Sequence, residues 1–388
     1  MPKETLPPAF STTWARVLTL RLRRQHLLER TAPDRFVDVV GEMIGLHAQV
    51  MSSAELQAAA RVDGLHASDI RDALWERRSI VKTWAFRQTL HLLTPDDLAE
   101  FVVAARSLER WHAPSWLRYF KMTEGQVAEV IDAIGAALSD RPMTRVEVVD
   151  AVVARVRRPH LRDSMLTGWG TFLGPAAQRG QLTFGPSDGR NVAFVRPSAW
   201  LGRPIDPRRD DPEAANVALG RMLGRYLAVF PGASREMASR WWGGRVTVSH
   251  ALPHVPEPIA EVDVDGIRGL VREADLAELA AIEPDHPARL LPGFDPFTNE
   301  LPRHVEAVLG DDHHDRVHRT AGWVTPIVVV DGCVGGTWEI ENGNGARSLV
   351  VRPFRRWPGA ARKELATEVD RIAAFLDQRL GLDVARNG

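Results

Sequence analysis

The sequence predicts an α+β chain. Three tandem units of helices, each closed by a two-stranded ribbon, precede a C-terminal β-rich segment and a terminal helix. Three observations carry this expectation. Helical and alternating apolar patterns recur in the same order three times along the chain. Asp-Gly pairs stand between apolar runs at Asp188-Gly189, Asp265-Gly266 and Asp331-Gly332, a strong hairpin signal. The 388 residues, 44% hydrophobic and 26% charged, have a globular composition. At about 100–200 residues per domain they suffice for roughly two to four domains.

The first unit, residues 1–115, holds the amphipathic stretch Arg35–Leu46, in which Phe36, Val39, Val40 and Met43 share one helical face. A second helix, Ala54–Val62, ends before Gly64, and Ser68 can cap a third, Asp69–Arg78. Strand-like runs Ile80–Ala85 and Thr89–Leu93, joined by Phe86-Arg87-Gln88, close the unit. The second unit, residues 116–205, reads as helices Thr123–Leu138, Thr144–Val156 and Leu161–Arg179. Its ribbon is Gln181–Phe184 with Asn191–Val195, turning at Ser187-Asp188-Gly189. In the third, residues 206–285, Pro212 suits a helix first turn. Helices Glu213–Val229, Ser234–Trp242 and Thr247–Leu252 precede the ribbon Ala260–Val264 and Ile267–Val271. The last segment, residues 286–388, offers strands Arg289–Phe294, Ile327–Val330, Thr337–Ile340 and Leu349–Val351, then a helix from Ala361 to Leu380. Three helices and a ribbon make a winged helix-turn-helix. Such units meet DNA more often than they serve as protein-docking modules, so the pattern favours nucleic acid.

The net charge of −1 hides an asymmetry. Residues 141–245 carry 17 basic and 9 acidic side chains, whereas residues 246–315 carry 4 and 15. A basic stretch beside an acidic block can bind a polyanion on one face. The basic residues are 45 Arg and 4 Lys. Arginine suits phosphate forks, although a GC-rich genome gives the same bias. The lone Cys333 excludes an intramolecular disulfide framework and a Cys-rich zinc site. No apolar run approaches the ~18 residues of a membrane helix, and MPKETLPPAFSTTW has no apolar signal region. A cytoplasmic, nucleoid-associated protein without membrane contact is expected.

Several segments carry a resemblance. They are Leu22-Arg23-Arg24-Gln25-His26-Leu27-Leu28-Glu29-Arg30, Gly45-Leu46-His47-Ala48-Gln49 and Arg87-Gln88-Thr89-Leu90-His91-Leu92. Later come Phe230-Pro231-Gly232, Trp241-Trp242-Gly243, Leu291-Pro292-Gly293-Phe294-Asp295-Pro296 and Val330-Asp331-Gly332-Cys333-Val334-Gly335-Gly336-Thr337-Trp338. In order and spacing, from about residue 18 to 380, they resemble the AlkZ/YcaQ-type winged-helix DNA glycosylases. The resemblance implies tandem winged helices around a positively charged channel. It also implies removal of alkylated purines, especially N7-alkylguanine, with crosslink unhooking in some members. The family's catalytic tripeptide is Gln-aliphatic-Gln in AlkZ-like proteins and Gln-aliphatic-Asp in YcaQ-like ones. Here the matching tripeptide is His47-Ala48-Gln49: the second Gln is kept and the first position is His. A His variant also occurs in AlkZ-like relatives linked to resistance against DNA-alkylating natural products, so the resemblance leans to that branch.

The chemistry of these residue types fits that implication. An N-glycosidic bond breaks through an oxocarbenium-like transition state. Alkylation at N7 leaves the purine cationic, so it departs with little acid assistance. The enzyme must then position a water and stabilise sugar cation character. Gln49 can hold water through its amide, and His47 can accept the water's proton near neutral pH. In an extended segment, residues two apart share a side, whereas in a continuing helix they lie about 200° apart and cooperate poorly. The alternative for His47 is a buried histidine bonded to backbone.

Candidate DNA contacts are Arg21, Arg23, Arg24 and Gln25 near the N-terminus; Arg87, Gln88, Thr89 and His91 at the first wing; and Arg155, Arg157, Arg158 and Arg162, the densest basic cluster. Each has a structural alternative, a solvated helix face or a wing whose Leu90 and Leu92 pack inward while His91 faces solvent. His313-His314-Asp315 and His318, after Asp311 and Asp312, have ligand-type side chains without HExxH spacing or a Cys partner, so no metal site is assigned. Gly168, Gly170 and Gly174 fall in a helical pattern with no preceding strand and are no dinucleotide fingerprint. Trp111, Trp116 and Trp169 are expected in cores rather than stacked on bases.

The expectation is a cofactor-independent monofunctional glycosylase, acting as a monomer on double-stranded DNA carrying N7-alkylated or bulky purines. No lysine near the tripeptide is available for a Schiff base. Two alternatives remain open from sequence. One is a non-catalytic DNA-binding regulator, which would bind undamaged sequence. The other is a protein that sequesters a genotoxin, which would bind drug without DNA.

Overall fold

The computed structural model describes residues 8–109, 113–167, 170–205, 211–243, 247–285, 287–303, 305–310, 313–342 and 347–385. Trp111, Gly168, Trp169, Asp311 and Asp312 lie outside these residues. The chain is α+β and divides into two compact units, neither contiguous in sequence. One comprises Met1–Ile70, Gly224–Ala238 and Pro256–Gly388; the other comprises Arg71–Leu223 and Ser239–Val255. The sequence segments 1–115 and 206–285 are therefore each divided between compact units. Among the described residues, no helix is long and apolar enough to cross a membrane.

The second compact unit shows most directly why its sequence folds as it does. Thr123 and Gln126 form a reciprocal capping box at the start of helix Glu124–Ala137, and Thr144 and Glu147 form another at helix Arg145–Val156. Each box satisfies two amide donors that a helix start would otherwise leave orphaned. The short strand Met143–Thr144 joins the ribbon Thr183–Asp188 and Asn191–Val195, with Asn191–Val195 in the centre, the strand arrangement of a winged helix. The expected third helix, Leu161–Arg179, is instead two, Leu161–Thr167 and Leu173–Gln178. Between them Gly170 has φ +69°, and a Cβ there would lie 3.0 Å from the Trp84 indole nitrogen. The hairpin Val81–Trp84 and Leu90–Leu93 packs Trp84 against Phe184 and Phe194. Trp116 is half-buried, with its ring against Phe120 and Phe172.

The first compact unit is built on two layers of core. A five-stranded sheet runs Arg289–Leu291, Ile327–Val330, Cys333–Asn342, Arg347–Pro353 and Leu380–Val384 in that spatial order. Side chains alternate across it, as the period of two demands. Leu290, Val328 and Val330 pack with Leu365 and Val369 of the terminal helix Gly359–Leu376. Leu291, Ile327 and Val329 pack with Leu18, Leu20 and Leu22 of helix Trp14–Arg24. That N-terminal helix went unread in the sequence. The terminal helix stops at Leu376, where Asp377 turns left-handed at φ 51°, and Leu380–Val384 then pairs in parallel with Arg347–Val351. The sequence reading had continued the helix to Leu380. A mostly exposed strand without clean alternation gives no sequence signal of its own, and backbone pairing decides. The ribbon Ile259–Val264 and Ile267–Arg272 turns at Asp265-Gly266 as expected, both residues at positive φ, and is extended by a parallel pairing of Ser11–Thr12 with Asp263–Val264.

Candidate active site

The tripeptide His47-Ala48-Gln49 lies in the first compact unit, between two helices. Helix Phe36–Glu42 ends in a Schellman-type closure: the Ile44 amide donates to the Gly41 carbonyl (2.9 Å) and the Gly45 amide to the Val40 carbonyl (2.8 Å). This closure needs a left-handed residue, usually glycine, yet the position holds Ile44 at φ 55°, followed by Gly45 at φ 96°. A β-branched residue there is a real backbone outlier, costing about 1–2 kcal/mol, and such strain collects at functional sites. The consequence is local. The helix stops, Leu46–His47 becomes extended, and the next helix begins only at Met51. The tripeptide is thus outside any helix, with Gln49 in a bend before Met51. His47 is 5% exposed and Gln49 is half-buried.

Four residues support His47, two by direct contact; Phe294 and Asp295 belong to a motif quoted above, whereas Gln57 and Arg61 belong to none. The Phe294 ring stacks on the imidazole at 4.9 Å with planes 12° apart. The Gln57 side-chain amide donates to the His47 carbonyl at 3.0 Å. The Gln57 carbonyl accepts from Arg61 Nη1 at 2.9 Å. Arg61 then grips Asp295 through two bonds, Nη1–Oδ2 at 2.8 Å and Nη2–Oδ1 at 2.9 Å, with both side chains wholly buried. Asp295 also accepts from the Phe297 amide, capping helix Pro296–Asn299. Phe294-Asp295-Pro296 therefore does more than start a turn. The same loop is fixed again where Ser53, on helix Met51–Ala59, donates to the Gly293 carbonyl. Asp295 thus ties together the loop that carries Phe294 and the helix that carries Gln57, and both touch His47. A paired charge in so low a dielectric tolerates little displacement.

The proposed DNA-contact residues fare unequally. Arg21 is 1% exposed, with Nε donating to the Pro231 carbonyl and Nη1 to the Glu300 carbonyl. Gln25 is fully buried and accepts from Arg61. Both are corrected to structural residues, because neither side chain reaches the surface. The basic run sits on helix Trp14–Arg24, whose other face is core. Arg23 and Arg24 are partly exposed and paired with Glu278, Arg24 also with Asp275.

In the second compact unit, the first wing turns at Arg87 (φ 55°) and Gln88 (φ 59°). Arg87 is half-buried, Gln88 exposed, and the Thr89 hydroxyl donates to the Phe86 carbonyl. His91 does not face solvent: it is 4% exposed, edge-on to Phe86, with Nδ1 3.1 Å from the Thr89 carbonyl. Arg155 and Arg157 are exposed, Arg157 capping its helix in a left-handed conformation. Arg158 is paired with Glu129 and Arg162 with Asp150, and the second bond holds the Arg162 guanidinium above its usual range. His314 and His318 approach at 5.2 Å between ring centres. Among the described residues, no group of three or more His, Cys, Asp or Glu is placed to hold a metal ion.

Comparison with known proteins bears on what this site does. A family profile described as DNA glycosylase AlkZ-like matches residues 40–375, from just before the tripeptide to the terminal helix. An interstrand DNA cross-link repair glycosylase of Streptomyces sahachiroi is 34% identical over 368 residues, spanning 93% of this chain and 96% of that protein. The solved structure of Streptomyces sahachiroi DNA glycosylase AlkZ superposes with a TM-score of 0.86 at 32% identity, covering 97% of this chain and all of the other. Similarity of this extent replaces the alternatives of a regulator or a drug-sequestering protein: the chain is an enzyme and belongs to the AlkZ-like DNA glycosylase family.

Proposed function

We propose that this glycosylase hydrolyses the N-glycosidic bond of N7-alkylated or bulky purine adducts in double-stranded DNA, with His47 and Gln49 as its catalytic pair. The observation that carries the reading is the left-handed break at Ile44 and Gly45, which ends the helix before the tripeptide, leaving His47 in extended chain and Gln49 in a bend ahead of the next helix. Gln49 orients the attacking water. The buried imidazole of His47 accepts its proton as the C1′–N9 bond breaks, and the cationic purine leaves with the bonding electrons, becoming neutral. The Gln57 bond fixes the His47 backbone and the Phe294 face holds the plane of the imidazole, so less ordering is left for the transition state. The product is an abasic site. The four lysines, Lys3, Lys82, Lys121 and Lys363, are all remote from the tripeptide in sequence, which supports a monofunctional reaction without a Schiff base.

The name of the Streptomyces sahachiroi relative extends the proposed substrates to interstrand crosslinks, and the work to base excision repair or self-resistance against a genotoxin. The reading puts the enzyme at work as a monomer in the cytoplasm, at the nucleoid, where its proposed DNA substrate lies. Arg155 and Arg157, exposed beside paired Arg158 and Arg162, are proposed phosphate contacts, together with Arg23, Arg24, Arg87, Gln88 and Thr89. The test is base release from an end-labelled duplex carrying one N7-alkylguanine. Wild type should release the base, and His47→Ala and Gln49→Ala should lose about 10²–10⁴-fold in rate while duplex binding persists. Equal release by all three proteins would remove the catalytic pair.

A further inference from the structure

Of the larger apolar side chains that remain open to solvent, one stands on the same aromatic column as His47. Trp323 is 47% exposed. It contacts Phe294 edge-to-face, at 5.1 Å and 75°, and the other neighbour of Phe294 is the His47 imidazole. Three aromatic rings thus run from the buried candidate catalytic residue to solvent. All three belong to one compact unit.

The backbone is shaped to keep Trp323 there. It sits on a small hairpin in which His318 bridges Val324 and the Arg319 amide donates to the Trp323 carbonyl at 2.8 Å. The turn uses left-handed Ala321 (φ 57°) and Gly322 (φ 74°), and residues 319–323 are all exposed. The hairpin base is pressed against the Phe294 loop: a Cβ on Gly293 would lie 2.7 Å from the Val324 carbonyl oxygen, so only glycine fits. Phe294 itself is held at φ 61°, a conformation bulky residues avoid. Core packing alone would not leave the outermost indole half-exposed; a large, rigid ring left wet on a braced hairpin is what a stacking partner requires. The exposed Arg319, cross-strand from Trp323, adds a cation suited to a phosphate beside a stacked ring.

We propose that Trp323 is a stacking platform for a planar aromatic face of the damaged nucleotide, either the alkylated purine itself or an aryl group of its adduct. The proposal rests on the glycosylase reading above and deepens it by naming what distinguishes damaged from intact duplex.

The test uses the full chain and three duplexes of one sequence, undamaged or carrying a single N7-methylguanine or N7-benzylguanine on a 2′-fluoro sugar that keeps the bond intact. Binding is measured by fluorescence anisotropy for wild type, Trp323→Ala and Trp323→Phe, with thermal unfolding confirming that the exposed substitutions fold. Wild type should prefer adducted over undamaged duplex. Trp323→Ala should lose about tenfold or more of that preference, and Trp323→Phe should retain most of it. Loss on both adducts identifies the purine as the stacked ring; loss on the benzyl adduct alone identifies the adduct's aryl group. An unchanged preference in Trp323→Ala, or no preference in wild type, overturns the proposal. Base release by wild type from the corresponding cleavable duplex is scored separately. Release without a Trp323 effect defeats the platform and spares the glycosylase reading; absence of release defeats that reading alone.

Discussion

Two arginine–carboxylate pairs in this protein close at similar distances, one through two bonds and one through one, and they differ in importance. Arg61–Asp295 closes at 2.8 Å with both side chains fully buried. Arg158–Glu129 closes at 2.6 Å with 23% and 50% of the side chains exposed. Distance does not separate them; water does. The exposed pair exchanges one set of solvated charges for another and is screened by salt. The buried pair is committed, because neither charge has anywhere else to go. Local arginine density pointed to the first kind of arginine, whereas the one that holds the site stands alone.

Several measurements break or sharpen that contrast. Asp295→Ala should have the largest effect: it strands the buried Arg61 guanidinium and should cost about 3–5 kcal/mol in denaturant unfolding. Replacing both partners, as Arg61→Met with Asp295→Leu, should recover much of that stability while base release stays impaired, since the Phe294 loop loses its tether. Full recovery of both would show that the pair only stabilises the fold. Gln57→Leu removes the bond to the His47 carbonyl and should slow base release by about ten- to a hundredfold through misplacement of the imidazole. Its unfolding free energy should fall by only about 1–2 kcal/mol.

In the second compact unit, Thr144→Ala should cost about 1 kcal/mol of stability as a helix cap is lost. That effect should depend on pH. Bonds from Thr144 hold the Glu147 carboxyl below its usual range, so the stabilisation is present above the carboxyl's unfolded value and fades as pH falls through the depressed one. A wild-type-minus-variant difference that is flat across the acid range would contradict this. Arg158→Ala should cost less, about 0–1 kcal/mol and smaller still in high salt. Arg155→Ala and Arg157→Ala should leave stability alone. Each should weaken duplex binding evenly across sequences, reducing the salt slope by about one.

The sequence was most legible where local chemistry decides. The turns at Asp265-Gly266 and Asp331-Gly332 lie where the Asp-Gly pairs stand, and the helices Arg145–Val156 and Pro212–Val229 begin within a residue of their expected starts. Leu161–Arg179 misled because a helical apolar period continues through Gly170, which bends where it meets Trp84. The N-terminal helix Trp14–Arg24 is amphipathic, but Leu18, Leu20 and Leu22 also alternate with polar residues as a strand would, and Thr19 and Arg21 are buried among them. The tripeptide was found by its match to a known motif. Gln57 and Arg61 stand in no quoted motif, and with Asp295 they acquire their roles only when segments some 234 positions apart meet. One signal was available: Gly293 and Asp295 flank a bulky Phe in a proline-bounded loop, a setting in which a strained backbone is common.

The parallel pairing of Ser11–Thr12 with Asp263–Val264, and the packing of Leu18, Leu20 and Leu22 against strands near residues 290 and 327, bear on how the chain is made. On the ribosome, the opening helices emerge long before their partners exist. By contrast, the sheet formed by Met143–Thr144, Thr183–Asp188 and Asn191–Val195 closes within a few dozen residues of synthesis. Nascent Leu18, Leu20 and Leu22 must therefore wait, exposed, through the translation of more than two hundred codons. Expression yield should respond to chaperone supply and translation speed far more than to the stability of the finished enzyme.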